Sequence, residues 1–298
     1  MRSWVELALT RAPWIYSQLL RRRRQVDHDR LAFVAVIRRG DVVFDIGANQ
    51  GSYTLLFSHL VGRHGRVHAF EPMPPTFAAL AAHLDRVAHF DNVVANDCAL
   101  AAREGELRLF MPGSDHAQAA IVPHAAGSWT RVAEVRSYPC RAATVDGYLR
   151  ARGEAPPDFV KCDVEGAELR VLEGACETLR SRPPLLYLEI NPDWTRSLGY
   201  APPDLARFLQ GFGYTRLALI EHVVDCSLAA EVRPLDDPLR ELAAFRGSAN
   251  LLCAVPELHA ARLRRLLAAA GLRGAAPRRG GGGGGTSAPA GRGDGEAP

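Results

Sequence analysis

Between residues 41 and 256, short apolar runs alternate with helical periodicities, the pattern of a parallel sheet covered on both faces. The runs are Val42–Ile46, Arg66–Phe70, Val93–Asn96, Phe159–Cys162, Leu185–Ile190, Tyr214–Ile220 and Asn250–Val255, which makes seven expected strands. Helical spacing falls at about 52–62, 74–89, 166–180 and 203–212. An insertion over roughly 105–145 separates the third and fourth runs. It carries strand-like pieces at Glu106–Met111 and Val132–Cys140, then a short helix over Thr144–Arg150. Its Gly/Ser/His/Ala-rich middle, 112–130, is expected as a mobile loop.

The pattern changes at both ends. Pro13 splits residues 1–40, where Trp4, Trp14, Ile15 and Leu19 line up as an apolar stripe and Arg21–Arg24 is a basic cluster. This stretch reads as a basic helical extension docked over the mouth of the domain, with peripheral contact to a membrane surface as the alternative. The six-glycine run Gly280–Gly285 and its Ser/Pro/Gly surroundings cannot bury enough surface to offset their ordering entropy. The expected organisation is an N-terminal cap at 1–40, one domain at 41–271 and a disordered tail at 272–298.

Charge narrows the partners. The net charge of +3 is uneven: residues 1–40 hold 9 Arg against 3 acids and 272–298 hold 4 Arg against 2, which leaves the body at −5. An acidic body with basic ends lacks the broad positive face of a nucleic-acid binder. No uncharged apolar run approaches the ~18–20 residues that span a membrane. Glu6 and Arg11 fall where an export signal would be apolar, so a cytoplasmic location is expected. The six cysteines show no CxxC pairing and read as reduced thiols.

The first chemical motif is a strand, a glycine turn and a helix: Val42-Val-Phe-Asp45-Ile-Gly47-Ala-Asn49-Gln-Gly51-Ser-Tyr53-Thr54. Glycines let the backbone approach a ligand, and the helix start offers free N–H groups. Dinucleotides and S-adenosylmethionine both use this layout. A dinucleotide site wants G-x-G-x-x-G, with the middle glycine clearing the pyrophosphate; here Asn49 holds that position. Asp45 at the strand end suits a ligand carrying an ammonium group, which favours S-adenosylmethionine over NAD. Glu71 ends the second strand in Phe70-Glu71-Pro72, twenty residues past Gly51, where an acid can accept from ribose hydroxyls. Asp97, at the end of the third strand, is expected either at the adenine ring or as a turn cap.

The second motif, Phe159-Val-Lys161-Cys-Asp163-Val-Glu165-Gly166-Ala-Glu168, leaves the fourth strand beside the first. There the order of strands reverses and ligands bind. Lys161 is the single lysine among 36 Lys+Arg, which points to a site that needs ammonium rather than guanidinium geometry. Asp163 and Glu165 are candidate active-site acids, and also candidate caps of the following helix.

Together, Asp45-Ile-Gly-Ala-Asn-Gln-Gly-Ser-Tyr-Thr, Phe70-Glu-Pro, Lys161-Cys-Asp-Val-Glu-Gly-Ala-Glu and Leu188-Glu-Ile190 resemble the FkbM family of S-adenosylmethionine-dependent methyltransferases, over about 40–255. The resemblance implies an α/β class I methyltransferase, Rossmann-like fold: a mostly parallel seven-stranded sheet of order 3-2-1-4-5-7-6, the last strand antiparallel. It implies O-methylation of a hydroxyl on a sugar, glycan or secondary metabolite. It also implies cofactor contacts at Asp45, Gly47, Asn49, Gly51 and Glu71, and active-site acids at Asp163 and Glu165. Cys162 departs from the aliphatic residue usual there and should pack as a small hydrophobe.

In that reading Asp163 is the first candidate for general base, Glu165 the second, and Lys161 holds the acceptor or keeps Asp163 ionised. A Mg²⁺ ion on Asp163, Glu189 and Asn191 is a further expectation, since strand alternation points the last two to one side. The tetrapeptide Asn191-Pro192-Asp193-Trp194 follows the fifth strand, the wrong place for a nucleic-acid amino-methylation signature. Glu221-His222 with Asp225 reads as surface. Rival functions are a non-catalytic cofactor-binding scaffold tethered by its basic N-terminus and an NAD-linked oxidoreductase.

Overall fold

Every expected apolar run forms a strand, within about two residues of its expected ends. The computed structural model describes residues 28–87, 91–113, 118–125, 127–132, 134–220 and 232–270. In chain order the first strands are β1 (Val42–Ile46), β2 (Arg66–Phe70), β3 (Val93–Asn96), β4 (Cys98–Leu100), β5 (Gly105–Pro112) and β6 (Val135–Ala143). They are followed by β7 (Phe159–Cys162), β8 (Leu185–Ile190), β9 (Arg216–Ile220), β10 (Val232–Pro234) and β11 (Ala249–Ala254). The main sheet runs β3-β2-β1-β7-β8-β11-β9-β10. Its seven expected strands stand in the order 3-2-1-4-5-7-6, and β11 is antiparallel to both neighbours. The departure is β10, an eighth strand added antiparallel to β9 at the outer edge. Three residues ending on Pro234 give no readable periodicity, and an edge tolerates that proline.

The helices are α1 (His28–Val36), α2 (Ser52–Val61), α3 (Pro74–Val87), α4 (Val145–Arg152), α5 (Glu168–Glu173) and α6 (Cys176–Ser181). Then come α7 (Pro192–Ser197), α8 (Pro202–Gln210), α9 (Pro238–Ala244) and α10 (Pro256–Ala269). Strand alternation sorts the core into two layers. Phe44, Val160 and Leu186 join a cluster with residues of α4, α5, α6 and α8. Val43, Phe159 and Tyr187 join another with residues of α1, α2 and α10. The single helix expected at 166–180 is broken into α5 and α6. At Gly174, between them, an added Cβ would stand 2.1 Å from the Ala101 carbonyl oxygen.

Residues 28–37 pack into the core: Leu31 through Ile37 are all buried, and Phe33 meets Tyr53, Phe57, Phe159 and Tyr187 edge-on at 4.8–5.8 Å. Asp29 accepts from the hydroxyls of Tyr53 and Tyr187 and from Asn250. Arg262 of α10 donates to both Asp41 oxygens, at 2.6 and 2.9 Å, and to Val36 O at 2.7 Å. The boundary expected at residue 40 thus falls between α1 and β1, elements that share one core.

The insertion forms its own sheet, β4-β6-β5. Its middle is not wholly loose, as 112–130 was expected to be: Ala120 exchanges both backbone hydrogen bonds with Phe110, at 2.8 and 2.9 Å. The basic cluster Arg21–Arg24, the N-terminal tryptophans, Glu221-His222-Asp225 and the glycine tail lie outside the described residues. Five described cysteines, Cys98, Cys140, Cys162, Cys176 and Cys253, are free thiols. Among the described residues no helix is long and apolar enough to cross a membrane.

Candidate functional site

A cleft of about 540 Å³ opens at the C-terminal ends of β1, β2, β7 and β8. Its floor is the turn after β1. Gly47, at φ 75, lies so close to β7 that an added Cβ would stand 1.9 Å from the Asp163 carbonyl oxygen. Its N–H and that of Ala48 both donate to Phe70 O, at 3.0 Å each, which ties the turn to the end of β2. Asn49 follows at φ 49, a left-handed conformation that asparagine tolerates, and its N–H donates to Glu71 Oε2 at 2.9 Å. Glu71 Oε1 accepts from the Met73 N–H at 2.9 Å. Burial raises the Glu71 carboxyl to about 7, with those two N–H bonds working against the rise. Glu71 therefore lines the cleft as expected, already oriented by the backbone.

Asp45 does not line it. The carboxylate is wholly buried behind the turn, where it accepts from Thr54 Oγ1 at 2.6 Å and faces Lys161 Nζ at 3.6 Å. Gly51 likewise stays out of the cleft, capping α2 at φ 84. Asp97 turns outward and pairs with Arg141 at 2.5 Å, while Cys98 and Ala99 take the cleft wall in its place.

Lys161 sits on β7 with its ammonium 3.1 Å from Asp163, 3.6 Å from Asp45 and 3.3 Å from Gly47 O. Burial disfavours the ammonium, but the Asp163 and Asp45 charges outweigh it and push the Lys161 pKa up. The ion stays charged. Beyond it, oxygens of Asp163, Glu165 and Glu189 lie within 4.8 Å of one another. Burial first, then Asp163 and Glu165, push the Glu189 carboxyl far above the usual carboxylate range.

Asn191, expected as a third metal ligand, is engaged elsewhere: its side chain accepts from Asp193 N–H and caps α7. Among the described residues Glu165 replaces it in the acidic group. Tyr53, which lines the cleft with Lys161 Nζ 5.6 Å from its ring centroid, stands in the first motif with no role expected of it there. Its place in the first turn of α2, two residues past Gly51, was the available signal.

A family model described as the methyltransferase FkbM domain matches residues 45–216. The 31-O-demethyl-FK506 methyltransferase FkbM of Streptomyces tacrolimicus is 30% identical over 227 residues, 68% of this chain and 83% of that protein. The hexuronic acid methyltransferase AglP of Haloferax volcanii is 32% identical over 142 residues, 47% of this chain and 52% of that one, so the match spans about half of AglP. A solved methyltransferase FkbM from Methylobacillus flagellatus KT superposes with TM-score 0.45 at 16% identity, covering 80% of this chain and 58% of that one. With the expected sheet order, the glycine turn and the acidic β7 end in place, the chain belongs to the FkbM family of methyltransferases.

Proposed function

We propose that the protein transfers a methyl group from S-adenosylmethionine to a hydroxyl oxygen of a sugar, glycan or secondary metabolite. The observation that carries this is Asp163, a carboxylate on the cleft wall 3.1 Å from a buried ammonium, at the strand end beside the glycine turn. The donor fits the residues present. Glu71 offers carboxylate oxygens suited to ribose hydroxyls, Cys98, Ala99 and Leu100 offer an apolar surface suited to adenine, and the Gly47–Asn49 backbone suits the amino-acid end. The Asp45 charge, spent on Lys161 and Thr54, supports that end from behind rather than by contact.

Bound S-adenosylmethionine supplies a sulfonium methyl open to in-line attack. The protein's part is to align an oxygen and take its proton. Asp163 accepts the proton that leaves the hydroxyl as the new O–C bond forms. Lys161, 3.1 Å away, fixes the direction of the Asp163 carboxylate. Glu165 and the neutral Glu189 offer an acceptor and a donor to other hydroxyls of the substrate. One relative is named for an O-demethyl substrate and the other for a hexuronic acid, which supports an oxygen acceptor on a small molecule or sugar. A divalent ion held by Asp163, Glu165 and Glu189 is the second reading, favoured by their convergence.

Purified protein with labelled S-adenosylmethionine and a panel of glycans, uronic acids and polyketide alcohols tests the proposal. Transfer of label to a hydroxyl is expected, with kcat lowered about 10²–10⁴-fold in Asp163→Asn and donor affinity kept. Donor binding without transfer to any acceptor would favour the tethered scaffold. Full turnover in EDTA would set the metal aside, whereas loss restored by Mg²⁺ would establish it.

A further inference from the structure

The acidic turn after β7 is held from two sides, and one hold comes from outside the main sheet. Glu165 lies at φ 56 and Gly166 at φ 95, so two successive residues occupy left-handed backbone that a side-chain-bearing residue adopts only under restraint. Behind the turn, Glu168 accepts from the N–H groups of Val164 and Gly166 at 3.1 and 3.2 Å, and the Tyr200 hydroxyl donates to Gly166 O at 2.7 Å. The Glu165 carbonyl is met from the opposite side of the sequence by His124 Nε2 at 3.0 Å. A carbonyl only accepts, so the imidazole donates and carries its proton on Nε2.

His124 belongs to the insertion, 41 residues before the turn it grips. Its ring is buried, stacks on Trp194 of α7 at 5.5 Å and meets Trp129 edge-on at 5.3 Å. Nδ1 has no partner among the described residues. A phenyl ring would fill the same space without burying a bare nitrogen, so packing alone does not call for histidine here. What imidazole adds is one N–H, and that N–H is spent on Glu165.

We propose that His124 is a positioning residue for methyl transfer. It clips the insertion onto the Glu165 carbonyl, fixing the Glu165 carboxylate beside Asp163 and Glu189. At the same time it makes residues 120–124 a strap. One end is the Ala120–Phe110 bridge, the other is His124, and Ile121 between them lines the cleft. The placement rests on the proposed use of this cleft for the acceptor, but the clip itself can be measured without one.

Hydrogen exchange followed by mass spectrometry on a peptide covering 159–173 reads the clip in wild type, His124→Phe and His124→Gln. His124→Phe keeps an aromatic ring and loses the donor; glutamine loses the ring and keeps an amide N–H at similar reach. Exchange in that peptide should rise about fivefold or more in His124→Phe and return toward wild type in His124→Gln. Peptides from β1 and β2 should not change. Unchanged exchange in His124→Phe, failure of glutamine to rescue, or a rise spread over the whole chain would each overturn the proposal. Calorimetry with S-adenosylhomocysteine on the same preparations should give equal affinities. Absence of binding to all three would count against the proposed donor while the exchange result still decides on His124. Any acceptor found in the panel adds a kinetic arm: kcat about tenfold lower in His124→Phe, recovered in His124→Gln, with the KM for S-adenosylmethionine unmoved. An unchanged kcat would overturn the positioning role.

Discussion

At the scale of single residues, Lys161 shows why one lysine survives in a chain that otherwise uses arginine. Its ammonium fits among Asp45, Asp163 and the Gly47 carbonyl, all within 3.6 Å, where a planar guanidinium would not. Lys161→Met should cost about 3–5 kcal/mol in urea unfolding, because it leaves Asp45 buried without its counter-charge; an unmoved midpoint would show that the pair is dispensable. Lysine's isolation in the composition made this residue legible from sequence. The burial of Asp45 was not legible, because it depends on the Thr54 hydroxyl folding back from the first turn of α2. Glu168 supplies a pH effect. Burial raises its carboxyl to about 7 from an ordinary 4.5, so the folded state binds the proton more tightly than the unfolded chain. Its stabilising contribution is complete below 4.5 and is lost as pH climbs through 7. Glu168→Gln keeps an oxygen for the Val164 and Gly166 N–H groups, and should raise stability at pH 8 by on the order of 2–3 kcal/mol while flattening that slope. Parallel melting curves from pH 5 to 8 for both proteins would refute it.

At the scale of elements, α1 is the piece whose sequence looks most like an appendage and whose packing least resembles one. Its run Leu31-Ala-Phe-Val-Ala-Val-Ile37 is apolar all round and shows no amphipathic face, which is the mark of a helix buried on every side. Phe33→Ala should cost about 3–5 kcal/mol, since the ring is the centre of four edge-on aromatic contacts. A chain started at residue 40 should fail to fold cooperatively, read as loss of a single sharp melting transition. Retention of that transition would show that α1 is a removable cap after all. The break between α5 and α6 was hidden for a different reason. Gly174 is required by Ala101, and that approach comes from a segment more than seventy positions away, so helical periodicity carries no trace of it.

At the scale of the whole molecule, the cleft lies where the sheet order turns, between β1 and β7, with Glu71 on one side and the Asp163 group on the other. That crevice rule made part of the cleft readable: Gly47, Asn49, Glu71 and Lys161 line it, whereas Asp45 and Gly51 of the same motif do not. The rest of the cleft was less readable, because its wall is built by the insertion. Leu109, Ala119 and Ile121 reach the cleft from a second sheet with no motif of its own, while Asp97 and Asn191 turn to an ion pair and a helix cap. S-adenosylhomocysteine at about a hundred times its Kd should stabilise the fold by about 2.7 kcal/mol, whereas NAD at the same concentration should leave the melting temperature where it was. The reverse pattern would return the dinucleotide reading.

The base of the insertion is narrow. β4 and β6 run side by side in parallel, Cys98 to Arg141 through Leu100 to Ala143, and Ala101 N–H donates to Ala143 O at 2.9 Å just beyond. β4 and β6 thus bring the two ends of the insertion together, after which α4 leads the chain back to β7 in the main sheet. A segment strung between those points has its two ends pinned together, while β1 pairs with β2 and β7 and not with it. Replacing 105–139 with another family member's segment is therefore an engineering route to a changed cleft wall, provided the graft keeps a donor for the Glu165 carbonyl where His124 stands.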